Sequence, residues 1–285
     1  MRALVIGAGA VGESTALHLR AAGVDVVATM RRNHHEAQVR LKAAGVETAR
    51  FDLEGDVLAP LLAGVDAVVL TPALTLCVRL APALRNVARV IAFSSNNVAL
   101  DPGAPTYVKL AAAEAELRTQ APHAVILRPT LIYGDPRLPT LPSIMRWARR
   151  WPILPVPGSG RALQQPVFYD DLGKAAATLA RSGAHEGATF ALGGPDIVSI
   201  KALFQAAACA VMASPAIVPA PRWMLSVGAA LLGSRFPLDA AQIARAEKDR
   251  VVFPQTPLPA DLTPRTSLQD GLSALAHTLG RCDTV

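Results

Sequence analysis

The sequence predicts an α/β protein built on a doubly wound parallel sheet, with a smaller lobe formed mainly by its C-terminal half. From the first residue to about residue 130, short apolar strand runs alternate with segments of helical periodicity. This alternation is typical of parallel βαβ units. After Pro129 the prolines cluster between Pro136 and Pro166, and the alternation fades. We therefore expect a first domain over residues 1–130 and a second lobe over residues 131–285.

The strand and helix signals follow one another in a regular order. Strands are predicted at residues 3–6, 24–29, 46–51, 65–70, 89–93 and 124–127, with helices at 10–22 and 34–44. Gly23 and Gly45 close those two helices as C-caps. The C-terminal lobe is expected to contain a strand near Val167, a helix at 170–181, a strand at 189–192, and helices at 200–212 and 268–279. The strand at 165–169 and the helix at 170–181 could pack back on the first domain.

The composition indicates a well-packed chain. Hydrophobic residues make up 51% and charged residues 18%, which excludes intrinsic disorder. The cysteines, Cys77, Cys209 and Cys282, form no CxxC or metal-ligand spacing, so we expect reduced thiols, a cytoplasmic protein and no metal site. The apolar segment 213–233 is interrupted by prolines and Arg222. A membrane span needs about 20 nearly uninterrupted apolar residues, so this segment is expected to pack inside the protein or at a subunit contact.

The net charge of +6 comes mostly from arginines, which are dispersed along the chain. Dispersed arginines argue against a nucleic-acid interface, and attraction for anionic small molecules explains the charge as well. We therefore expect a small-molecule ligand and no nucleic-acid partner. The oligomeric state, monomer or homodimer, stays open.

A glycine-rich turn follows the first predicted strand and opens the first helix. Its sequence is Gly7-Ala8-Gly9-Ala10-Val11-Gly12. The first glycine allows a tight turn, the second lets a pyrophosphate approach the backbone, and the third allows close helix–sheet packing. The free N–H groups of the helix then bind the pyrophosphate. This pattern predicts a Rossmann-type dinucleotide site.

The end of the second strand selects between the two pyridine dinucleotides. NAD sites place an Asp or Glu there to bind the ribose 2′-hydroxyl. Here Arg31 and Arg32 follow Met30, with no acid. A guanidinium binds a 2′-phosphate that a carboxylate would repel, so NADP(H) is preferred over NAD(H). Asp52 follows the third strand, where it could bind the adenine amino group or cap a helix.

Several motifs in order resemble the extended and atypical short-chain dehydrogenase/reductase superfamily, of the NAD(P)-dependent epimerase/dehydratase-like kind. A related branch includes an accessory subunit of respiratory complex I. The motifs span nearly the whole chain, and the two most specific are LRPTLIYG at 127–134 and QPVFYDDL at 165–172. Others are TMRRN, FDL, VDAVVLTPA and FSSNNV.

The resemblance implies a role for residues along the whole cofactor. The phosphate turn is Gly7, Gly9, Ala10, Val11 and Gly12; Arg31, with Arg32, faces the 2′-phosphate. Asp52 and Leu53 face the adenine, Thr71, Pro72 and Ala73 the riboses, and Pro129 and Thr130 the nicotinamide. Residues 135–160 would help to cover the substrate.

The catalytic residues that the resemblance implies are only partly present. The family uses a tyrosine four residues before a lysine, and the lysine lowers the pKa of that tyrosine. The corresponding lysine is Lys109, which the resemblance implies would also bind the nicotinamide ribose, but Pro105 stands in the tyrosine position. Tyr107 could substitute if the helix starts at Val108; in regular helix it faces away from Lys109. Ser95 stands one position before the usual assisting hydroxyl, and Asn96 occupies that position.

Three functions remain open on the sequence. The first is an NADP(H)-binding protein without the usual catalytic tyrosine, acting as a redox-responsive or binding protein. The second is an active oxidoreductase or nucleotide-sugar epimerase with a non-standard proton donor, such as Tyr107 or Tyr133. The third is a nucleic-acid or membrane-surface binder, which only the positive charge supports. The first is favoured, because Pro105 cannot transfer a proton.

Overall fold

The computed structural model describes residues 1–31, 35–233, 236–252 and 258–282. The chain divides into two compact units. The first unit consists of Met1–Pro129, Tyr169–Leu192 and the described part of 254–264. The second consists of Thr130–Phe168 and the described parts of 193–253 and 265–285. The chain therefore passes between the units several times. The helix predicted at 170–181 belongs to the first unit, as the sequence allowed, whereas the strand near Val167 belongs to the second.

The strands are numbered in chain order. They are β1 (Arg2–Ile6), β2 (Asp25–Met30), β3 (Glu47–Arg50), β4 (Ala67–Leu70), β5 (Arg89–Phe93), β6 (Val125–Pro129), β7 (Ile132–Tyr133), β8 (Ile153–Pro157), β9 (Leu163–Gln164), β10 (Val167–Phe168), β11 (Thr189–Leu192), β12 (Val198–Ser199) and β13 (Ala216–Ala220).

The helices are numbered in the same way. They are α1 (Ala10–Ala21), α2 (His35–Ala43), α3 (Leu74–Cys77), α4 (Asn97–Leu100), α5 (Pro105–Gln120), α6 (Thr140–Arg150), α7 (Tyr169–Ser182), α8 (Ile200–Ala210), α9 (Arg222–Leu232), α10 (Ala240–Ala246) and α11 (Leu268–Cys282). Two 3₁₀ helices span Ala59–Leu62 and Val78–Leu84. The predicted start of the second helix at His34 lies outside the described residues.

The first unit is built on a seven-stranded sheet with the order β11-β6-β5-β4-β1-β2-β3. Every neighbouring pair is parallel. Strands β1 and β4 lie at its centre and consist of apolar residues almost throughout, as expected where helices cover both faces of a sheet. The predicted Rossmann-type, doubly wound parallel sheet is confirmed. Its strand order reverses beside β1, and ligands of such sheets bind at that point.

Strand β11 extends the sheet beyond the six strands predicted for the first domain. Thr189–Leu192 pairs in parallel with Ile126–Pro129 of β6. The sequence placed this strand in the C-terminal lobe because it follows the proline-rich segment. Its apolar residues Phe190 and Leu192 are buried, so the unpaired edge of β6 gives them a better partner than the shorter strands nearby.

Helix α7 also belongs to the first unit, where it packs against α1. A Cβ atom on Gly173 would lie 2.0 Å from Ser14 Oγ, so the two helices touch where glycine leaves room. Asp170 Oδ1 lies 3.1 Å from His18 Nε2 and accepts a 2.6 Å hydrogen bond from Ser14 Oγ. The hydrogen bond with His18, and then that with Ser14, lowers the pKa of Asp170 against the effect of its partial burial.

The second unit contains three small two-stranded sheets and the helices α6 and α8–α11. β7 pairs with β10, β8 with β13, and β9 with β12. Its apolar core includes Ile144, Leu154, Phe204, Leu225 and Leu272. Tyr133 is buried in this core and donates a 3.2 Å hydrogen bond to the Ser267 carbonyl oxygen. Tyr133 is therefore enclosed by its own unit.

Only a small part of the apolar segment 213–233 packs inside the second unit, and the predicted alternative, a subunit contact, stays a prediction. Within it the core contains only Ala220 and Leu225. Most of α9 is exposed, including Trp223, Val227 and Leu231. Most large apolar side chains of α9 therefore lie at the surface of the second unit and not in its core.

Candidate functional site

The glycine turn between β1 and α1 is held together by its own backbone and by Thr71. Gly7 has φ +88°, in the left-handed region that favours glycine, and a Cβ there would lie 2.6 Å from Pro72 Cγ. A Cβ on Gly12 would lie 2.0 Å from the Gly7 carbonyl oxygen. Thr71 Oγ1 donates to that same oxygen at 2.5 Å. The glycine turn and the first helical turn of α1 therefore lie too close together for a side chain at Gly7 or Gly12.

Gly9 differs from the other two glycines because its open side faces empty space. No atom lies within 4 Å of the position that its Cβ would occupy. Gly9 is the N-cap of α1, and no side chain caps the helix. The N–H groups of Ala10, Val11 and Gly12 have no acceptor within the helix. The helix start thus offers an open approach and N–H donors, the arrangement that suits a pyrophosphate.

A cavity of about 410 Å³ lies at the carboxyl ends of the central strands of the first unit. Its lining residues come from the ends of β1 to β4, from α3 and from the 3₁₀ helix that follows α3: Ile6, Gly7, Thr29, Met30, Arg31, Phe51, Asp52, Leu53, Glu54, Pro72, Thr75, Leu76 and Arg79. The structure thus brings together the predicted residues Gly7, Arg31, Asp52, Leu53 and Pro72. Arg31 is exposed at the end of β2, whereas Arg32 lies outside the described residues.

The two predicted adenine-side residues have different local roles. Asp52 Oδ1 accepts a 3.1 Å hydrogen bond from the Glu54 N–H, and the Asp52 N–H donates to Asp56 Oδ2. Asp52 therefore shapes the loop after β3, and it starts no helix. Leu53 contributes an apolar wall and a carbonyl oxygen that accepts a hydrogen bond from Arg79 Nη1.

Arg79 is one of the lining residues that the sequence analysis missed. It lies in the 3₁₀ helix Val78–Leu84, and its guanidinium reaches across to the loop after β3. The cavity therefore has arginines from two elements, Arg31 and Arg79. Thr75 and Leu76 of α3 line the same wall and were missed too. No motif marks them, because they enter the cavity only through the turn that Pro72 and Ala73 make after β4.

The residues after β4 support the cavity and the turn. Thr71 binds the turn as described, Pro72 contacts Gly7, and Ala73 precedes α3. Cys77 at the end of α3 is fully buried, and desolvation raises the pKa of its thiol to about 12. This thiol stays protonated at neutral pH, so it serves the core and is no nucleophile.

Lys109 and Tyr107 do not come together in the structure. Helix α5 begins at Pro105, so Tyr107 lies within regular helix, and the alternative start at Val108 is wrong. Tyr107 is 8% exposed and belongs to the core cluster of the first unit, whereas Lys109 is exposed. The residue that shares a helix face with Lys109 is Pro105, four residues earlier, and it carries no titratable group. The pair of tyrosine and lysine that the resemblance implies is therefore absent from this face.

The turn after β5 contains Ser94, Ser95, Asn96 and Asn97. Ser95 Oγ accepts a 3.3 Å hydrogen bond from the Asn97 N–H, so it shapes the start of α4. Asn97 Nδ2 donates to the Tyr107 hydroxyl at 2.9 Å. Asn96 is buried, and its N–H donates to the Pro129 carbonyl oxygen at 3.0 Å. These contacts tie the turn to α5 and to the end of β6.

A buried ion pair lies directly behind this turn. Glu114 of α5 is buried and binds Arg128 of β6 in a bidentate manner, with Arg128 Nε 2.9 Å from Glu114 Oε1. Ser94 Oγ donates to the same oxygen at 2.5 Å. Together with Ser94, the pair holds α5, β6 and the turn after β5 in fixed positions relative to one another. The sequence analysis assigned none of these residues a role.

Pro129 and Thr130 lie where the chain passes from the first unit to the second. Pro129 ends β6 and is buried. Thr130 begins the next segment, and its hydroxyl donates to the Gln165 carbonyl oxygen within the second unit. The hydroxyl of Thr130 is therefore engaged with its own unit.

The comparisons with known proteins agree with this fold. A family model, that of ketopantoate reductase (PanE/ApbA), matches residues 3–70, which span β1 to β4. No curated protein matches the sequence. The chain is similar in structure to triphenylmethane reductase from Citrobacter sp., with 17% identity and a TM-score of 0.77 over 97% of this chain and 100% of the other.

Two further solved structures cover nearly the whole chain. An NADPH-dependent quinone oxidoreductase from Escherichia coli shares 18% identity, with a TM-score of 0.73 over 96% of this chain and 99% of its own. UDP-glucuronic acid 4-epimerase from Bacillus cereus shares 16% identity, with a TM-score of 0.72 over 99% and 100%. The neighbours are thus NAD(P)-dependent epimerase/dehydratase and short-chain-dehydrogenase-like proteins, which confirms the predicted resemblance at the level of the fold.

Proposed function

We propose that this protein binds NADP(H), in preference to NAD(H), as an epimerase/dehydratase-like member of the short-chain dehydrogenase/reductase superfamily without the usual catalytic tyrosine. The observation that carries the proposal is the cavity that Gly7 of the glycine turn and Arg31 line together. It lies where the sheet order reverses, which is the binding position for nucleotides in this fold.

The residues of the first unit fit the parts of such a cofactor. The N–H groups at the start of α1 would bind the pyrophosphate, and Gly9 leaves the space that the phosphates need. Arg31 would bind the 2′-phosphate, since no acid follows β2. Asp52, Leu53 and Arg79 would surround the adenine. Use of the protein as a redox-responsive or binding protein needs no proton donor, in keeping with Pro105.

The cofactor preference is tested by titrating the fluorescence of NADPH and NADH. We expect NADPH to bind at least about tenfold more tightly, since a charge-assisted hydrogen bond contributes about 1.5–3 kcal/mol. The variant Arg31→Glu should bind NADPH roughly 10- to 100-fold more weakly and lose this preference, because the new carboxylate repels the 2′-phosphate. Arg50→Glu is the matched control, since Arg50 is exposed at the end of β3 but does not line the cavity.

Two outcomes would contradict the proposal. Equal or tighter binding of NADH by the wild type would remove the role of Arg31. An absence of binding to either nucleotide would remove the cofactor site altogether.

A second candidate function is the reduction of a quinone-like acceptor by NADPH. Two of the structural neighbours are, by their names, an NADPH-dependent quinone oxidoreductase and triphenylmethane reductase. A quinone that accepts a hydride becomes a resonance-stabilised phenolate, which water can protonate. Such a reaction does not require a tyrosine as the acid, and Pro105, four residues before Lys109, supplies no proton donor. This candidate therefore fits the separation of Tyr107 from Lys109.

The second candidate is tested by following NADPH oxidation with a set of quinones in the wild type and in Tyr107→Phe. We expect kcat to change by no more than about twofold in the variant, because the Tyr107 hydroxyl is buried and bound by Asn97. Loss of a general acid would lower kcat by about 10²- to 10⁴-fold. A drop of that size, with NADPH affinity unchanged, would make Tyr107 the proton donor. If the wild type oxidises no NADPH with any quinone, the second candidate is wrong and only the binding function remains.

A further inference from the structure

Helix α9 carries an exposed apolar stripe in the second unit. Trp223, Val227 and Leu231 follow one another at four-residue intervals, so they lie along one side of the helix. Trp223 is 69% exposed and Leu231 is 79% exposed, and Met224 and Leu232 are exposed as well. Only Leu225 of this helix is buried. Large apolar side chains in such a contiguous patch mark an interaction surface.

The length and composition of α9 suit a helix that lies in the interface between water and an apolar phase. From Trp223 to Leu232 the helix has no charged residue. Its 11 residues extend about 16 Å, roughly half the thickness of a hydrocarbon core. Nor does any other helix in the described part of the chain have the length and hydropathy of a membrane span. A helix of this kind can lie in an interface without crossing it.

The patch continues from α9 to the end of α6. A Cβ on Gly228 of α9 would lie 2.7 Å from Phe236, whose ring centroid lies 5.5 Å from that of Trp147. Trp147 in turn lies 5.6 Å from Trp151, and its Nε1 donates to the Ile153 carbonyl oxygen. Trp151 and Ile153 are exposed. The chain has three tryptophans, and all of them belong to this patch, which we call the α9 patch: Trp147, Trp151, Ile153, Trp223, Met224, Val227, Leu231 and Leu232. Phe236 is buried in the core and packs against both Gly228 and Trp147.

The charges beside the α9 patch are mostly positive, although Asp239 lines a cavity together with Ser226, Ala229 and Phe236. The segments 136–169 and 197–238, which supply α6, β8, β13 and α9, contain no Asp or Glu. Arg146, Arg149 and Arg150 are exposed at positions i, i+3 and i+4 of α6, directly before Trp151. Arg222 is exposed at the start of α9. The patch is therefore an apolar surface with arginines beside it and no carboxylate within its own segments.

We propose that the α9 patch binds the surface of an anionic lipid bilayer. Tryptophan is the side chain enriched at the boundary between headgroups and hydrocarbon, and arginines beside it bind the acidic headgroups. A second copy of the chain is a poorer occupant, because a two-fold interface pairs the patch with itself, and the segments 136–169 and 197–238 supply no carboxylate to pair with its arginines. Nucleic acid would use the arginines but leave the aliphatic side chains of α9 in water.

The test is sedimentation of the full-length protein with vesicles of phosphatidylcholine alone or mixed with phosphatidylglycerol. We expect binding to the anionic vesicles at least about tenfold stronger than to the neutral ones, and weakened by salt. A double variant, Trp223→Ser with Leu231→Ser, should lower binding at least about tenfold, since two apolar side chains no longer enter the bilayer. Arg146→Gln with Arg150→Gln should lower it roughly fivefold for each charge removed.

Matched controls and a second readout keep the test independent of folding. Val57→Ser removes an exposed apolar side chain of the first unit, and Arg181→Gln removes an exposed cation there; both should bind like the wild type. The tryptophan emission should shift to the blue on anionic vesicles, because all three tryptophans lie in the α9 patch. Thermal melts of the patch variants should match the wild type.

Three outcomes would overturn the proposal. The first is equal sedimentation with and without phosphatidylglycerol, or no sedimentation with either vesicle. The second is a dimer by light scattering that the Trp223→Ser and Leu231→Ser changes convert to a monomer, which would make the patch a homodimer interface. The third is salt-sensitive retention of DNA, lost in the arginine variant, without any binding to vesicles.

Discussion

Replacing Gly12 with alanine is expected to reduce both the stability of the protein and its affinity for NADPH. The new Cβ would lie 2.0 Å from the Gly7 carbonyl oxygen and 2.7 Å from Thr71 Oγ1, so α1 has to move away from the turn. Overpacking of this kind costs about 1–3 kcal/mol, and here the opposing atoms include backbone. We expect a clear fall in the urea midpoint of unfolding and an NADPH dissociation constant raised at least about 100-fold, measured by fluorescence titration.

Gly9→Ala separates the two effects. Gly9 has φ −74°, which any residue adopts, and no protein atom lies near its missing Cβ. The variant should therefore unfold within about 0.5 kcal/mol of the wild type. Its affinity for NADPH should still fall at least about 100-fold, because the methyl group occupies the space through which a pyrophosphate meets the helix start. Gly103→Ala, which also meets no atom within 4 Å, is the control for the substitution itself. Wild-type affinity in Gly9→Ala would mean that no phosphate approaches this helix.

Replacing Arg128 with methionine is expected to give the largest loss of stability. Glu114 is 5% exposed, and Arg128 is its bidentate partner. Removing one member of a buried ion pair leaves a charge without compensation, which costs about 3–5 kcal/mol. Because Arg128 itself is partly exposed, we expect a loss near the lower end, about 3 kcal/mol, measured by urea unfolding. Glu36→Gln, at an exposed pair with Arg40, should cost no more than about 0.5 kcal/mol.

The double variant Arg128→Met with Glu114→Leu tests the cause. Two apolar side chains of similar size need no counter-charge, so at least half of the lost stability should return. Ser94 then loses its acceptor on Glu114, and this prevents full recovery. If the double variant is as unstable as Arg128→Met alone, the cost comes from packing at residue 128 and not from the uncompensated carboxylate.

Much of the candidate site could be predicted because its signals are local. Gly7, Gly9 and Gly12 lie within six residues of one another, and each marks a backbone requirement of one turn. Arg31 follows the second strand directly, so its position needs only the strand boundary. Arg79 could not be predicted in this way: it enters the cavity from a 3₁₀ helix about 50 residues later in the chain, through its contact with the Leu53 carbonyl oxygen.

The positions of Tyr107 and Lys109 on α5 also could not be predicted from the sequence alone. The sequence left two starts for α5 open, and each gave Tyr107 a different direction. The structure starts the helix at Pro105, which is a favourable residue for the first helical position. Tyr107 then faces the core with Leu110 and Glu114, whereas Lys109 is exposed. One boundary, three residues from the other candidate, decides which side chains can meet.

By itself the sequence determined the central sheet, the glycine turn and the arginine at the end of β2. These depend on periodicity and on backbone chemistry between neighbouring residues. Only the tertiary structure decided that Thr189–Leu192 joins this sheet, that Glu114 meets Arg128, and that α9 exposes its apolar stripe. Such features depend on which surfaces remain uncovered after the whole chain has packed. Hydrophobicity measures how strongly a side chain avoids water, but whether a partner covers it is decided by residues distant in sequence.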